Sequence, residues 1–390
     1  MLTEQQIDEY GEQFVELFQK LEADIINDIA RRVRDGERWT ETAELQAEAL
    51  RAAGKSTEQI RLEVLRKLQA DPEYIRFLDE NTLAAKAAQQ KAIDEAIEEL
   101  RKTAPEFYKE VGNMAFNGDL SYWEKAGQDL TKPNSFTQLV ETLAARNADS
   151  LMELTKSLGF KFPGASVKLS QAFRTAVNNA LTKVLSGAFS STQAVSDAVK
   201  DMAASGLKTI DYASGRSYQL DVAARLNVRT ACGQIAGEIT ELNIQETGVE
   251  YVEVSSHWGA RPSHAAWQGK VYTMKQFKAV CGYGEPSNPD HIYSYNCRHT
   301  HYPFWPGISE PNKWPDEPKP ITINGKRYTY YEATQKQRSM ERNIRALKRE
   351  RNAGVDVPKS AITTATREYK AFSEAAGIKP RPELLTVLGA

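Results

Sequence analysis

Apolar residues at Ile7, Tyr10, Phe14, Leu17, Leu21 and Ile25 recur at three- and four-residue steps, with charged residues between them. That spacing draws a single apolar stripe and predicts an opening helix. The same periodicity predicts helices over 41–53, 57–70, 81–103, 135–158, 167–186 and 192–205. A longer helix over 218–245 carries Leu220, Ala223, Ala224, Val228, Ala231, Ile235 and Ile239 on one side. Turn chemistry places the breaks at Gly54, Asp71-Pro72, Asn117-Gly118-Asp119, Lys132-Pro133-Asn134 and Phe162-Pro163-Gly164.

Near Gly248 the pattern changes. The run Val249 to Val254 is β-branched and aromatic, and Gly269 to Tyr272 suggests a second strand after a turn. Nine prolines between Pro262 and Pro320 keep regular structure short there. Ile321 to Tyr330 reads as a hairpin, because Asn324-Gly325 supplies the positive φ angles that a type I′ turn needs. After it, helical patterning resumes over 331–351 and again, briefly, over 361–376. The fold class expected is mainly α with a small α+β module. A helical arm spans 1–209, a compact His/Trp/Pro-rich module 210–330, and a basic helix with a tail 331–390.

Composition narrows the function only slightly. A formal net charge of −2 gives no whole-molecule field that would commit the chain to nucleic acid or membrane. The amino terminus lacks the pattern of a secretory signal, no apolar run is long enough to cross a bilayer, and three cysteines do not make a disulfide framework. Local charge says more. From Lys326 to Arg351 nine Lys or Arg stand against three Glu, with Met340, Ile344 and Leu347 as a thin apolar line. Such a helix, through Arg338, Arg342, Arg345, Lys348 and Arg349, suits non-specific contact with nucleic-acid phosphates, or equally a solvated charged face.

All five histidines and two of the three cysteines lie between His257 and His301, together with Trp258, Trp267 and, just beyond, Trp305. Three readings of this cluster stand side by side. A zinc site would draw on His257, His264, Cys297 and His299, although their spacing is not that of a standard finger. A catalytic site would use a histidine pair as acid and base, with Arg261 or Arg298 stabilising an anionic transition state. The favoured reading is a hydrogen-bonded mini-core without cofactor. In it His264 and Arg298 satisfy loop carbonyls, the tryptophans supply buried area, and Cys297 is a small buried apolar side chain.

The combined string of Arg261, His264, Trp267 and Gly269, followed by Asn296, Cys297, Arg298 and His299, resembles the tailed-bacteriophage minor capsid proteins of the minor capsid protein 2 type. These are similar to the Mu-type head morphogenesis proteins. The resemblance implies a virion component made in the host cytoplasm, and partners in the portal and capsid proteins at one vertex. It also implies a role in head assembly or in genome packaging and delivery, beside packaged DNA, with no membrane and no small-molecule substrate. The alternative from another class is a nuclease-like enzyme centred on His257, His264, Arg298 and His299.

Overall fold

The computed structural model describes residues 4–285 and 287–388. Among them the chain is mainly helical, with three small antiparallel sheets. The first half runs α1 (Glu4–Asp35), α2 (Glu37–Ala52), α3 (Thr57–Ala70), α4 (Pro72–Lys125) and α5 (Phe136–Glu153). A hairpin of β1 (Leu158–Phe162) and β2 (Ala165–Lys168) precedes α6 (Ala172–Leu185) and α7 (Ser191–Ser205). Then β3 (Lys208–Ile210) and β4 (Ser217–Gln219) complete a sheet in the order β2-β1-β3-β4 and lead into α8 (Leu220–Thr247).

The opening stripe is buried as its periodicity requires: Phe14, Leu21 and Ile25 are almost fully buried, and Leu17 packs against them. The side chains of Ile7 and Tyr10 lie outside the described residues. One continuous apolar core joins this stripe to α4, α5, α6 and α7 and to the Leu220, Ala224, Val228, Ala231, Ile235 and Ile239 face of α8. Where α4 crosses α5 the approach is close, since a Cβ on Gly112 would sit 2.9 Å from the Val140 side chain.

Two expectations fail here, both for tertiary reasons. The turn expected at Asn117-Gly118-Asp119 does not form, and α4 continues to Lys125. Asp119 is instead buried against α8, accepting hydrogen bonds from Asn243 Nδ2 at 2.9 Å and Thr240 Oγ1 at 3.2 Å. Trp123, one turn on, donates to Thr247 Oγ1. Docking on α8 thus outweighs a local turn preference. The second failure is the stretch expected to be helical at its edges, around Leu158 and Val167. Leu158, Phe160 and Phe162 bury alternate positions, the period of a strand, and Gly159 is required because a Cβ there would fall 2.3 Å from the Val167 carbonyl.

The module after α8 holds the sheet β6-β5-β7, made of β5 (Tyr251–Val254), β6 (Val271–Thr273) and β7 (His301–Phe304). Two short helices, α9 (Pro262–Ala265) and α10 (Met274–Cys281), lie within it. Its own apolar cluster includes Val252, Val254, Trp267, Phe277, Cys281 and Cys297, and it is completed by Trp123 from α4 and Ile244 from α8. Trp123 meets Trp305 edge-on at 5.4 Å. The expected hairpin forms as β8 (Ile321–Ile323) and β9 (Lys326–Tyr328), with Asn324 and Gly325 at φ 49° and 77°. It packs on α11 (Tyr330–Asn352) and α12 (Lys359–Ala375).

Candidate functional site

His264 sits on α9, held there by the Arg261-Pro262 entry, and Cys297 and His299 lie in the segment that enters β7. Asn296 accepts a left-handed φ of 61°, which turns the chain so that Cys297 points inward, while its backbone N–H donates to Thr230 Oγ1 of α8. His264 and Cys297, 33 positions apart, are therefore brought together across β6, the short helix α10 and a loop. The His264 Nδ1 and His299 Nδ1 atoms come to 3.3 Å, and Cys297 Sγ lies 3.7 Å and 3.6 Å from them. All three side chains are buried.

Trp267 covers the cluster, its ring 4.6 Å from that of His264 and 4.7 Å from that of His299. Gly269 follows in the left-handed region at φ 68°, with Trp314 so close that a Cβ would crowd it. Burial, reinforced by the positive charge of Arg261, pulls the His264 pKa down to about 4. Burial, with His257 and His264 as neighbours, pulls that of His299 to about 2. Burial also raises the Cys297 thiol above its ordinary value. Both imidazoles are thus neutral near pH 7, and weaker bases than free histidine.

The expected residues separate into groups. His257 lies beside the cluster, its ring 4.4 Å from that of His299 and its Nδ1 3.0 Å from the Trp258 carbonyl, but outside the set of converging atoms. His264 faces His299 through Nδ1 and also meets the loop backbone at Asp290, while Arg261 donates to Tyr295 O at 2.7 Å and pairs with Asp290. Arg298 lines the groove beside the cluster. Cys297 is buried as expected, yet its sulfur is turned toward two nitrogens.

Two further residues hold the site without having been singled out by sequence pattern. Gln268 Oε1 accepts from His299 Nε2 at 2.8 Å and from the His257 backbone N–H at 3.1 Å. Because the backbone donor fixes which amide atom is the oxygen, the His299 proton is placed on Nε2 and its Nδ1 lone pair is left facing Cys297. Glu253, buried in β5, accepts from Asn312 N and Nδ2 and from Trp314 Nε1, pinning the proline-rich loop. The signal for Gln268 was adjacency to Trp267. Glu253 had none, being a carboxylate in an alternating strand.

The five α11 residues expected to contact phosphates are not equally placed. Arg345 and Arg349 of α11 are buried, not available to phosphates: Arg345 pairs with Asp221 and donates to Gln219 Oε1, while Arg349 donates to Ala203 O and lies 3.9 Å from Glu22. Lys348 donates to Leu385 O, Arg338 is half-buried, and Arg342 is exposed. Arg338 and Arg342, with Arg225, Arg229, Arg261 and Arg381, line a groove of about 1460 Å³ between α8 and α11. Among the described residues no helix is long and apolar enough to cross a membrane.

A family model described as phage minor capsid protein 2 matches residues 78–374, a span that takes in most of α4, all of α5 to α8, the whole histidine module, α11 and nearly all of α12. No curated protein and no solved structure gives a significant match. The motif of Arg261, His264 and Trp267 with Asn296, Cys297 and His299 lies inside that span, and the chain belongs to the phage minor capsid protein 2 family, a structural component of the bacteriophage capsid.

Proposed function

We propose that this protein sits at the portal vertex of the phage head, where it serves head assembly and the packaging or delivery of the genome. The observation that carries the reading is the surface of α2, α3 and α4, where Leu45, Leu62, Ile75 and Leu83 are exposed at 68%, 62%, 42% and 71%. Four large aliphatic side chains left exposed on three consecutive helices favour a protein partner over water. The portal or the inner capsid shell supplies that partner, and the exposed Arg342, at a groove lined by both arginines and glutamates, offers phosphates of packaged DNA at most a weak, sequence-independent contact. The alternative, a nuclease at His257, His264, Arg298 and His299, finds little support in imidazoles that burial keeps neutral.

The test is incorporation into procapsids assembled with and without portal. Wild-type protein is expected only in portal-bearing particles, and the combined Leu45→Glu, Leu62→Glu and Leu83→Glu variant is expected to be lost from them while its melting temperature is unchanged. Equal incorporation without portal would remove the vertex assignment. Cleavage of DNA or RNA by the wild type, abolished in a folded His264→Ala variant, would replace the structural reading by the enzymatic one.

A further inference from the structure

Three side chains from two separated segments aim their donor atoms at one point. A tetrahedral zinc ion held by two imidazole nitrogens at about 2.0–2.1 Å and one thiolate at about 2.3 Å sets the nitrogens about 3.3 Å apart and each about 3.6 Å from the sulfur. The corresponding separations here are 3.3 Å between His264 Nδ1 and His299 Nδ1, with 3.7 Å and 3.6 Å to Cys297 Sγ. The three atoms outline one face of that tetrahedron. We propose that His264, Cys297 and His299 bind a zinc ion, and that its fourth position is taken by water from the adjoining groove.

The chemistry of the donors agrees. Two imidazoles and a thiol form a borderline-soft set that suits zinc and disfavours magnesium or calcium. His299 already has the arrangement a ligand needs, with Nε2–H donated to Gln268 Oε1 and the Nδ1 lone pair directed into the cluster. On binding, the Cys297 S–H bond breaks, its proton leaves to solvent, and an S–Zn bond forms. Neither imidazole releases a proton: that of His299 stays on Nε2, and the single ring proton of His264 is carried on its own Nε2 once Nδ1 binds the ion. The fourth position opens on a groove of about 620 Å³ lined by the cluster together with Trp258, Arg261 and Arg298. His257 is not a ligand in this assignment, since among the described residues the donor atoms that lie within 4.8 Å of one another are those of His264, Cys297 and His299 alone.

Such an ion has a clear structural use. It ties α9 to the strand-entry segment across the proline-bearing insert, in a module whose apolar cluster is small and partly borrowed from α4 and α8. This inference does not depend on where in the virion the protein sits.

Metal content of the full-length protein, purified without chelator from zinc-supplemented cells, is the direct test. About one zinc per chain is expected, retained in His257→Ala and lost in Cys297→Ala. Should Cys297→Ala fold poorly, cobalt added to the chelator-stripped wild type gives a second readout. Tetrahedral ligand-field bands with a thiolate-to-cobalt charge-transfer band are expected, the latter missing in Cys297→Ser. Wild-type protein that carries no stoichiometric zinc and gives no such bands overturns the proposal. Loss of zinc from a folded His257→Ala variant overturns the assignment of water to the fourth position.

Discussion

Asp119 shows how much one buried carboxylate can decide. Burial raises its pKa to about 6, against the opposing hydrogen bonds from Asn243 and Thr240. A carboxyl group whose folded pKa lies above its unfolded value binds its proton more tightly in the native state, so its contribution to stability is complete below about pH 4 and is lost as pH rises through about 6. At neutral pH the buried charge then costs roughly 3 kcal/mol, an upper figure from a shift of about two units. Replacing it by an uncharged isostere removes that term. Asp119→Asn is therefore expected to raise stability at pH 7 by about 1–3 kcal/mol and to flatten the pH dependence between 4 and 6, as followed by denaturant melts at several pH values. The new amide also offers a donor to Asn243 Oδ1, which is buried without a partner. Unchanged pH dependence in the variant would mean that another group carries the titration.

At the scale of elements, α11 shows why charge along a helix is a poor guide to its surroundings. Nine basic residues over 326–351 read as one wide solvated face, yet Arg345 and Arg349 turn inward to Asp221 of α8 and Glu22 of α1. These partners are far away in sequence, and no local pattern announces them. Breaking a buried pair leaves a charge unpaired, so Arg345→Ala is expected to cost about 3–5 kcal/mol, whereas Arg342→Ala on the exposed face should stay within about 0.5 kcal/mol. Thermal or denaturant unfolding of the two variants gives the comparison, and equal small effects would show that the Asp221 pair is not formed. DNA contact, by contrast, should follow the exposed side: Arg342→Glu weakens low-salt binding to duplex of any sequence, and added salt removes it in wild type as well. Base-specific or salt-insensitive affinity would refute that contact.

Across the whole molecule, what could be read from the sequence was whatever local spacing determines. The stripe from Phe14 to Ile25, the Leu220 to Ile239 face and the Asn324-Gly325 hairpin each follow from periodicity or turn chemistry within a few residues. The histidine cluster was legible as a composition and as a motif, but the convergence of three donor atoms and the role of Gln268 depend on loop closure through Asn296 and on α8 beneath it. Where neighbours distant in sequence decide, as at Asp119 and around Phe160, local preference misleads.

The same dependence gives the last prediction, which concerns how far the helical part stands alone. The core that α1 shares with α4 and α7 is completed by the Leu220, Ala224, Val228 and Ile235 face of α8, and Ala353 and Val355 beyond α11 add to it. A fragment of residues 1–209 would leave the apolar faces of α1 and α4 uncovered, and is expected to bind a hydrophobic dye and to melt without cooperativity. Residues 1–247 restore α8 and should melt cooperatively, though below the full chain, because the contacts of α11 with Glu22 and Asp221 are missing. Calorimetry of the two fragments and the full chain distinguishes the cases. If residues 1–209 unfold in one sharp transition at the temperature of the longer fragment, the stripe on α8 is dispensable, and the boundary near residue 209 separates independently folding parts.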